Sequence, residues 1–433
     1  ENITISTHSP SKLSIEKLIN KAIQFHLKGN ISEAAKNYQL FINQGLKDHR
    51  IFSNYGAILK DLGNLKEAEI SYRKAIEIKP YFAEAHSNLG IILSDLGKLQ
   101  EAEVSLRKAL EINPDLAEAH SNLGIILSEL GNLEEAKNEW AKAIELAPNL
   151  TIAIEQLAMR LFYEKEYELA IKYLREVKSV IGQSLHLGCL LSLDKEKDFD
   201  HKYKELSRNR VCYAGIGGIV EHANCLYGTR KESHFCDKAI NYIFVDKINE
   251  ESFSEDDLNE LISYINNDKI KMRFQGSLKG GVQTSGDLFT LNLPYIKSVK
   301  KTIEDKIEIY KNKFKDSGQG FINNWPEKYE LKSWMIGMKS GGFLVPHNHE
   351  YGWITGSFYL QMPKCNGNDE AGNIAFSYQG PRYPNKDKNF NLTIKNIETR
   401  DICIFPSSLY HHTIPFESSE ERICFVFDLV QKK

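Results

Sequence analysis

A chain of 433 residues accommodates two or three domains, each with a full core. With 42% apolar residues and a formal net charge of −3, nothing drives the whole molecule toward nucleic acid or a membrane surface, and its longest apolar runs fall far short of a bilayer span. No charged-then-apolar signal peptide opens the chain, and its seven cysteines include no CxxC pair, so reduced thiols in a cytoplasmic protein are expected.

After an N-terminal extension (1–14), the first half repeats itself. Gly56, Gly90 and Gly124 stand 34 residues apart, as do Gly63, Gly97 and Gly131, the alanines Ala68, Ala102 and Ala136, and the prolines Pro80, Pro114 and Pro148. A bulky residue recurs between the alanines of each unit: Tyr72, Leu106 and Trp140. This period and small/large pattern resemble the tetratricopeptide repeat. The resemblance implies helix pairs, with small residues letting the two helices of each unit approach and Pro opening the turn to the next. The register predicts five units over 15–184, at 15–48, 49–82, 83–116, 117–150 and 151–184. The outer two are degenerate, as capping repeats are: the first lacks the closing Pro, and the fifth has Lys165 where the turn glycine belongs.

The sixth position of each unit is Asn20, Asn54, Asn88, Asn122 and then Gln156. In this repeat geometry that position faces the concave groove. Each amide offers a donor and an acceptor, which suits the backbone of an extended peptide. The column resembles the asparagine ladder of the O-linked N-acetylglucosamine transferases, whose units also read AEAHSNLG. It implies that these five side chains bind a substrate peptide; the plain alternative is a solvated polar surface. His86 and His120, two positions earlier, sit at a packing position and read as structural.

Residues 185–245 keep helical spacing without the repeat and read as an irregular continuation of the solenoid. From 246 to 433 the period changes. An amphipathic helix is predicted at Ser254–Asn267, with Ser254 and the carboxylates after it as its capping signal. The stretch GSLKGGVQTSGDLF reads as irregular, and it is no phosphate loop because no GK[ST] follows. A second helix is predicted at Pro294–Lys315. Eight short strands follow: LKSWMIGMK, GFLVPHNH, ITGSFYLQM, NIAFSY, FNLTIKN, DICIFPS, HTIPF and RICFVFDLV. With Gly, Pro and Asn turns between them, they fit a double-stranded β-helix, or jelly roll. The predicted fold is thus multidomain α plus β: an α-solenoid followed by a jelly roll with flanking helices.

His347 and His349 stand two apart, so on a strand both point to one face. His411 from a later strand would complete a facial metal set, and Arg422 would point into the same cavity. Residues from about 250 onward resemble a 2-oxoglutarate/Fe(II) oxygenase family, related to the prolyl hydroxylases, that carries GxQTxGDLF, PHxHxxxWxSGxYY, FPSxxxH and RxxxxFD. Here these motifs read Gly281–Phe289, Pro346–Tyr359 with Thr355 in place of Ser, Phe405–His411 and Arg422–Asp428.

The resemblance implies His347, His349 and His411 as metal ligands, with His412 the rival for the third place. Many relatives have a carboxylate where His349 stands. Three His ligands, two His and water, or another divalent ion therefore stay open, as does a hydrogen-bonded surface pair. Arg422 is implied to bind the distal carboxylate of 2-oxoglutarate, against a rim salt bridge to Glu420 or Glu421. Tyr359 and Cys424 would touch the same group, and Gln283 and Thr284 would line the mouth toward substrate. The implied cofactors are Fe(II), 2-oxoglutarate and O2. The implied activity is hydroxylation of a peptide or protein recruited by the repeat groove, with no nucleic-acid or membrane partner. The alternatives are the same chemistry on a small metabolite, or a repeat scaffold that has lost catalysis.

Overall fold

The computed structural model describes residues 12–45, 47–229, 231–267, 272–273, 277–365, 370–386, 388, 390 and 392–432, so most of the expected N-terminal extension lies outside the described residues. The chain divides into two compact units, Glu1–Lys165 and Glu166–Lys433, a boundary that falls inside the last expected repeat.

The first unit is helical. Its packed pairs are α1 (Lys12–Leu27) with α2 (Ile31–Asn43), α3 (His49–Asp61) with α4 (Leu65–Ile78), α5 (Ala83–Asp95) with α6 (Leu99–Ile112), and α7 (Ala117–Glu129) with α8 (Leu133–Leu146), followed by α9 (Thr151–Tyr163). The recurring small/large residues explain the pairing. A Cβ added at Gly56 would lie 2.9 Å from Tyr72, at Gly90 2.6 Å from Leu106, and at Gly124 2.5 Å from Trp140. Each bulky side chain is buried, so the glycine is the space it occupies. The turns recur too: Gly29, Gly63, Gly97 and Gly131 have φ of 73°, 77°, 73° and 87°, and Lys165 takes the same left-handed conformation at 65°. His86 and His120 donate to the carbonyls of Pro80 and Pro114, both at 2.9 Å, and so fasten the turn between units.

The second unit opens with α10 (Tyr167–Leu174), α11 (Val180–Ser192), α12 (Glu196–Arg208) and α13 (Ala214–Tyr227). Between α11 and α12 the same turn returns, with Asp194 at φ 56° and its N–H on the Leu191 carbonyl at 3.0 Å. Leu187, Leu191, Phe199, Tyr203, Ile216 and Val220 make the core of this helical layer.

The strands then form two antiparallel sheets. The chain runs β1 (Phe244–Lys247), α14 (Glu255–Ile265), β2 (Met272–Arg273), β3 (Leu278–Thr284), α15 (Pro294–Phe314), α16 (Gly320–Asn323) and β4 (Tyr329–Leu344). It continues through β5 (Ile354–Gln361), β6 (Ile374–Ser377), β7 (Thr393–Lys395), β8 (Asp401–Pro406), β9 (Tyr410–Thr413) and β10 (Arg422–Gln431). One sheet has the order β1-β8-β5-β10-β4-β3-β2, and the other β7-β6-β9. The architecture is the expected one of a helical repeat array and an antiparallel β-domain.

Ser254 caps α14 by accepting from the Asp257 N–H at 3.1 Å, and Pro294 starts α15. Ile296, Val299, Ile303, Ile307 and Tyr310 of α15 recur at helical spacing and join one core with Phe358, Phe425 and Met335 of the sheet.

Three readings change. LKSWMIGMK and GFLV are one continuous strand, β4, with Gly341 at φ 76° inside it. The stretch expected to be irregular contains β3, whose glycines mark a bulge: a Cβ at Gly281 would sit 2.6 Å from the Gly337 carbonyl of β4. The strand expected at HTIPF is displaced upstream and ends at Thr413, before Pro415, which cannot donate to a ladder. The buried ring of His222 on α13 accepts from the Gly380 N–H at 3.0 Å and donates to the Pro384 carbonyl at 2.9 Å. Burial pushes its pKa down to about 4.

Candidate metal centre

Strand register decides what faces the space between the sheets. Directly opposed residues share a face. Trp334 and Ile336 of β4 oppose Val426 and Cys424 of β10, which in turn oppose Ser357 and Tyr359 of β5. Gln283 of β3 opposes Ile336, so it belongs to the same face, and Thr284 to the other. On the facing sheet Ile374 opposes Thr413 and Phe376 opposes His411, which leaves His412 on the reverse face with Ala375. The cavity so formed is lined by Trp334, His347, His349, Tyr359, His411 and Arg422, among others.

β4 ends at Leu344, just ahead of Pro346, so the two leading histidines do not lie on a continuous strand as expected. His347 instead pairs with His411 through mutual backbone hydrogen bonds of 3.0 and 2.9 Å. His349 sits at the start of the following turn, its N–H on the Ser407 carbonyl at 3.1 Å. The three side chains still converge: one nitrogen from each lies within 4.8 Å of the others. Ring centroids are 5.3 Å apart for His347 and His349, 4.4 Å for His347 and His411, and 5.2 Å for His349 and His411.

Every Nδ1 of the three has an acceptor behind it. Nδ1 of His347 donates to the Val345 carbonyl at 2.9 Å, that of His411 to the Leu409 carbonyl at 3.3 Å, and that of His349 to the Asp428 carboxylate at 2.7 Å. These partners assign the proton to Nδ1 and leave each Nε2 lone pair for a cation. Burial lowers the pKa of His347 to about 4 and that of His411 well below its ordinary range, so both are neutral donors at neutral pH. Glu350 is no member of the cluster; burial raises its pKa instead.

Beside the histidines lies a buried cation that pairs with no acid among the described residues. Arg422 is 2% exposed, donates from Nε to the Gly372 carbonyl at 2.8 Å, and touches the Cys424 sulfur at 3.6 Å. Its guanidinium lies 5.0 Å from the Tyr359 ring centroid. Glu420 accepts from the Lys364 N–H and Glu421 faces Lys339, so neither forms the rim pair that sequence allowed. The Tyr359 hydroxyl, near Ser357, completes no hydrogen bond, and the Trp334 Nε1–H and Gln283 Oε1 are buried without partners. Thr284 is occupied elsewhere, its hydroxyl accepting from the Met335 N–H at 3.0 Å. Two features went unread in the sequence: Asp428 behind His349, and Trp334 stacked on the His349 ring at 5.8 Å. Asp428 was visible as the last residue of the RxxxxFD motif; nothing in the sequence marked the Trp334 contact.

The amide column lies in the first unit, one residue on each of α1, α3, α5, α7 and α9: Asn20, Asn54, Asn88, Asn122 and Gln156. Asn54 donates to the Tyr38 hydroxyl at 3.2 Å. Asn88 and Asn122 are half-buried.

Comparison with known proteins now bears on both units. A family model described as "Putative 2OG-Fe(II) oxygenase" matches residues 332–428, and tetratricopeptide-repeat models match 56–97, 83–116 and 117–150. Tetratricopeptide repeats and a C-terminal 2OG-Fe(II) oxygenase domain share this chain. The matched oxygenase segment contains all three converging histidines, Arg422 and Asp428.

Solved structures similar to the chain include repeat proteins. PilF of Pseudomonas aeruginosa is 18% identical over 45% of this chain and 90% of its own, with a TM-score of 0.41. A tetratricopeptide repeat protein from Parabacteroides merdae is 19% identical over 49% and 86%, with a TM-score of 0.40. The first repeat domain of Spaghetti (RPAP3), solved bound to the HSP90 peptide SRMEEVD, is 26% identical over 26% and 90%, with a TM-score of 0.26. A search of curated proteins finds no match. No described helix is long and apolar enough to cross a membrane.

Proposed function

We propose that the chain is a 2-oxoglutarate- and Fe(II)-dependent dioxygenase that hydroxylates a peptide or protein held by its repeats. The observation that carries this reading is the convergence of His347, His349 and His411, each with Nδ1 engaged and Nε2 turned from it, beside a buried Arg422 that no carboxylate of the described residues neutralises. The donor set fits a divalent iron: three imidazoles from one side leave the remaining positions to the cavity. The unpartnered Tyr359 hydroxyl and the Arg422 fork fit a carboxylate, and Cys424 adds a weak contact. Bound iron with its cosubstrate would supply the oxidation of a C–H bond by O2, coupled to conversion of 2-oxoglutarate to succinate and CO2.

The chain's own residues would do the rest. Arg422 and Tyr359 orient the cosubstrate from its far carboxylate, and the apolar lining of Ile336, Leu344, Ile374 and Val426 keeps water from the reacting face. Gln283, on the cavity face, would meet the substrate at the mouth. In the repeats, Asn88 and Asn122 offer amides to an extended backbone, with Asn20, Asn54 and Gln156 continuing the column.

Purified protein given Fe(II), ascorbate and 2-oxoglutarate should form succinate, and His411→Ala should abolish it. Absence of succinate from the wild type, with His411→Ala binding metal equally well, would end the oxygenase reading. Changing Asn54, Asn88 and Asn122 to Ala should lower peptide turnover and leave uncoupled succinate formation unchanged; unchanged peptide turnover would favour a small metabolite as substrate.

A further inference from the structure

We propose that Asp428 supplies, through the ring of His349, the negative charge that a coordinating carboxylate would otherwise place on the metal. The inference rests on the metal-centre reading above and concerns one positioning residue of that site. The three backings differ in kind: His347 and His411 lean on neutral carbonyls, and His349 alone leans on a carboxylate. The His349 and Asp428 side chains are 10% and 15% exposed, so the pair is largely withdrawn from solvent screening. No Lys or Arg pairs with Asp428 among the described residues, and Lys332 across the strand pairs with Glu330 instead. Its charge is therefore directed at His349.

Strand register builds the contact. Asp428 of β10 opposes Thr355 of β5, so both side chains rise on one face under the imidazole. The Thr355 hydroxyl donates to the Phe427 carbonyl at 3.1 Å and turns a lone pair toward the same Nδ1, also at 3.1 Å. Trp334 stacks on the ring at an interplanar angle of 19° and limits its rotation. The imidazole is thus held in one tautomer and one orientation, with a full negative charge on its far side. Three neutral imidazoles alone would leave a divalent ion its whole charge. A carboxylate hydrogen-bonded to Nδ1 raises the basicity of Nε2 and offsets that charge one ring away.

Co(II) titration of the purified apoprotein, followed by its d–d absorption, tests this without turnover. Asp428→Asn keeps an acceptor of the same shape and removes the charge. It should weaken Co(II) binding by roughly 10–100-fold and shift the d–d bands. Thr355→Val, which removes an uncharged hydroxyl and its bonds to His349 and the Phe427 carbonyl, should stay within about threefold of wild type. Asp428→Glu, which keeps the charge, should recover most of the affinity lost by Asn. Co(II) binding by Asp428→Asn within twofold of wild type, with unchanged bands, overturns the proposal. Equal losses for Asn and Glu also overturn it, because they would make the residue's part purely steric. Failure of the wild type itself to bind Co(II) would instead remove the metal-centre reading, and this proposal with it.

Discussion

The repeat unit and the oxygenase domain are held together in contrasting ways. In the repeats one contact is copied: Gly56 on Tyr72, Gly90 on Leu106 and Gly124 on Trp140 are the same fit at three places. In the oxygenase domain nothing is copied. His347, His349 and His411 come from a strand extension, a turn and a short strand, and each is braced by a different partner. A copied contact spreads the effect of its loss along the array. A converging site concentrates it, because each member is needed to complete the set.

The sharpest break of that contrast is Arg422→Met. If Arg422 supplies the charge that answers the cosubstrate carboxylate, the KM for 2-oxoglutarate should rise by about 2–4 kcal/mol in binding terms, while the thermal transition of the helical repeats stays put. Steady-state kinetics and circular dichroism read the two halves of that statement. In the repeats, Gly124→Ala forces a methyl into the Trp140 ring and should cost about 1–3 kcal/mol by denaturant midpoint, with succinate formation unchanged.

Acid offers a third probe. His222 is neutral when folded, with its pKa pushed from 6.5 to about 4 by burial. The unfolded chain therefore takes up a proton first as pH falls, so stability present above pH 6.5 drains away between 6.5 and 4. The loss should be about 2 kcal/mol by pH 5, and His222→Asn should flatten that dependence. The smallest effect belongs to Lys165, whose φ of 65° repeats that of the turn glycines. Lys165→Gly should stabilise the first unit by up to about 1 kcal/mol, and a loss of stability would show that the side chain is used there.

How far the sequence carried each region follows the same division. The repeats were legible because their information is local and periodic: a small residue, a large one sixteen later and a turn glycine each mark one feature of a helix pair. The histidines were singled out by the His-x-His spacing and Arg422 by the RxxxxFD motif, and all four line one cavity. The β3 strand was not, since its glycines read as irregular chain until the bulge against β4 gave them a reason. Nor was the link between His349 and Asp428. It spans 79 residues and exists only once β10 lies against β5 in one particular register. The continuous strand expected for the two leading histidines also failed for a local reason, because Pro346 interrupts the ladder ahead of them.

The mutual backbone pair of His347 and His411 ties two donors to the meeting of two sheets, since one follows β4 and the other lies on β9. An ion gripping both side chains also grips that seam. Occupancy and cohesion then rise together: free metal at a hundred times its dissociation constant would add about 2.7 kcal/mol to the folded domain. On the proposed reading, the melting temperature of this half of the chain would act as a gauge of metal supply.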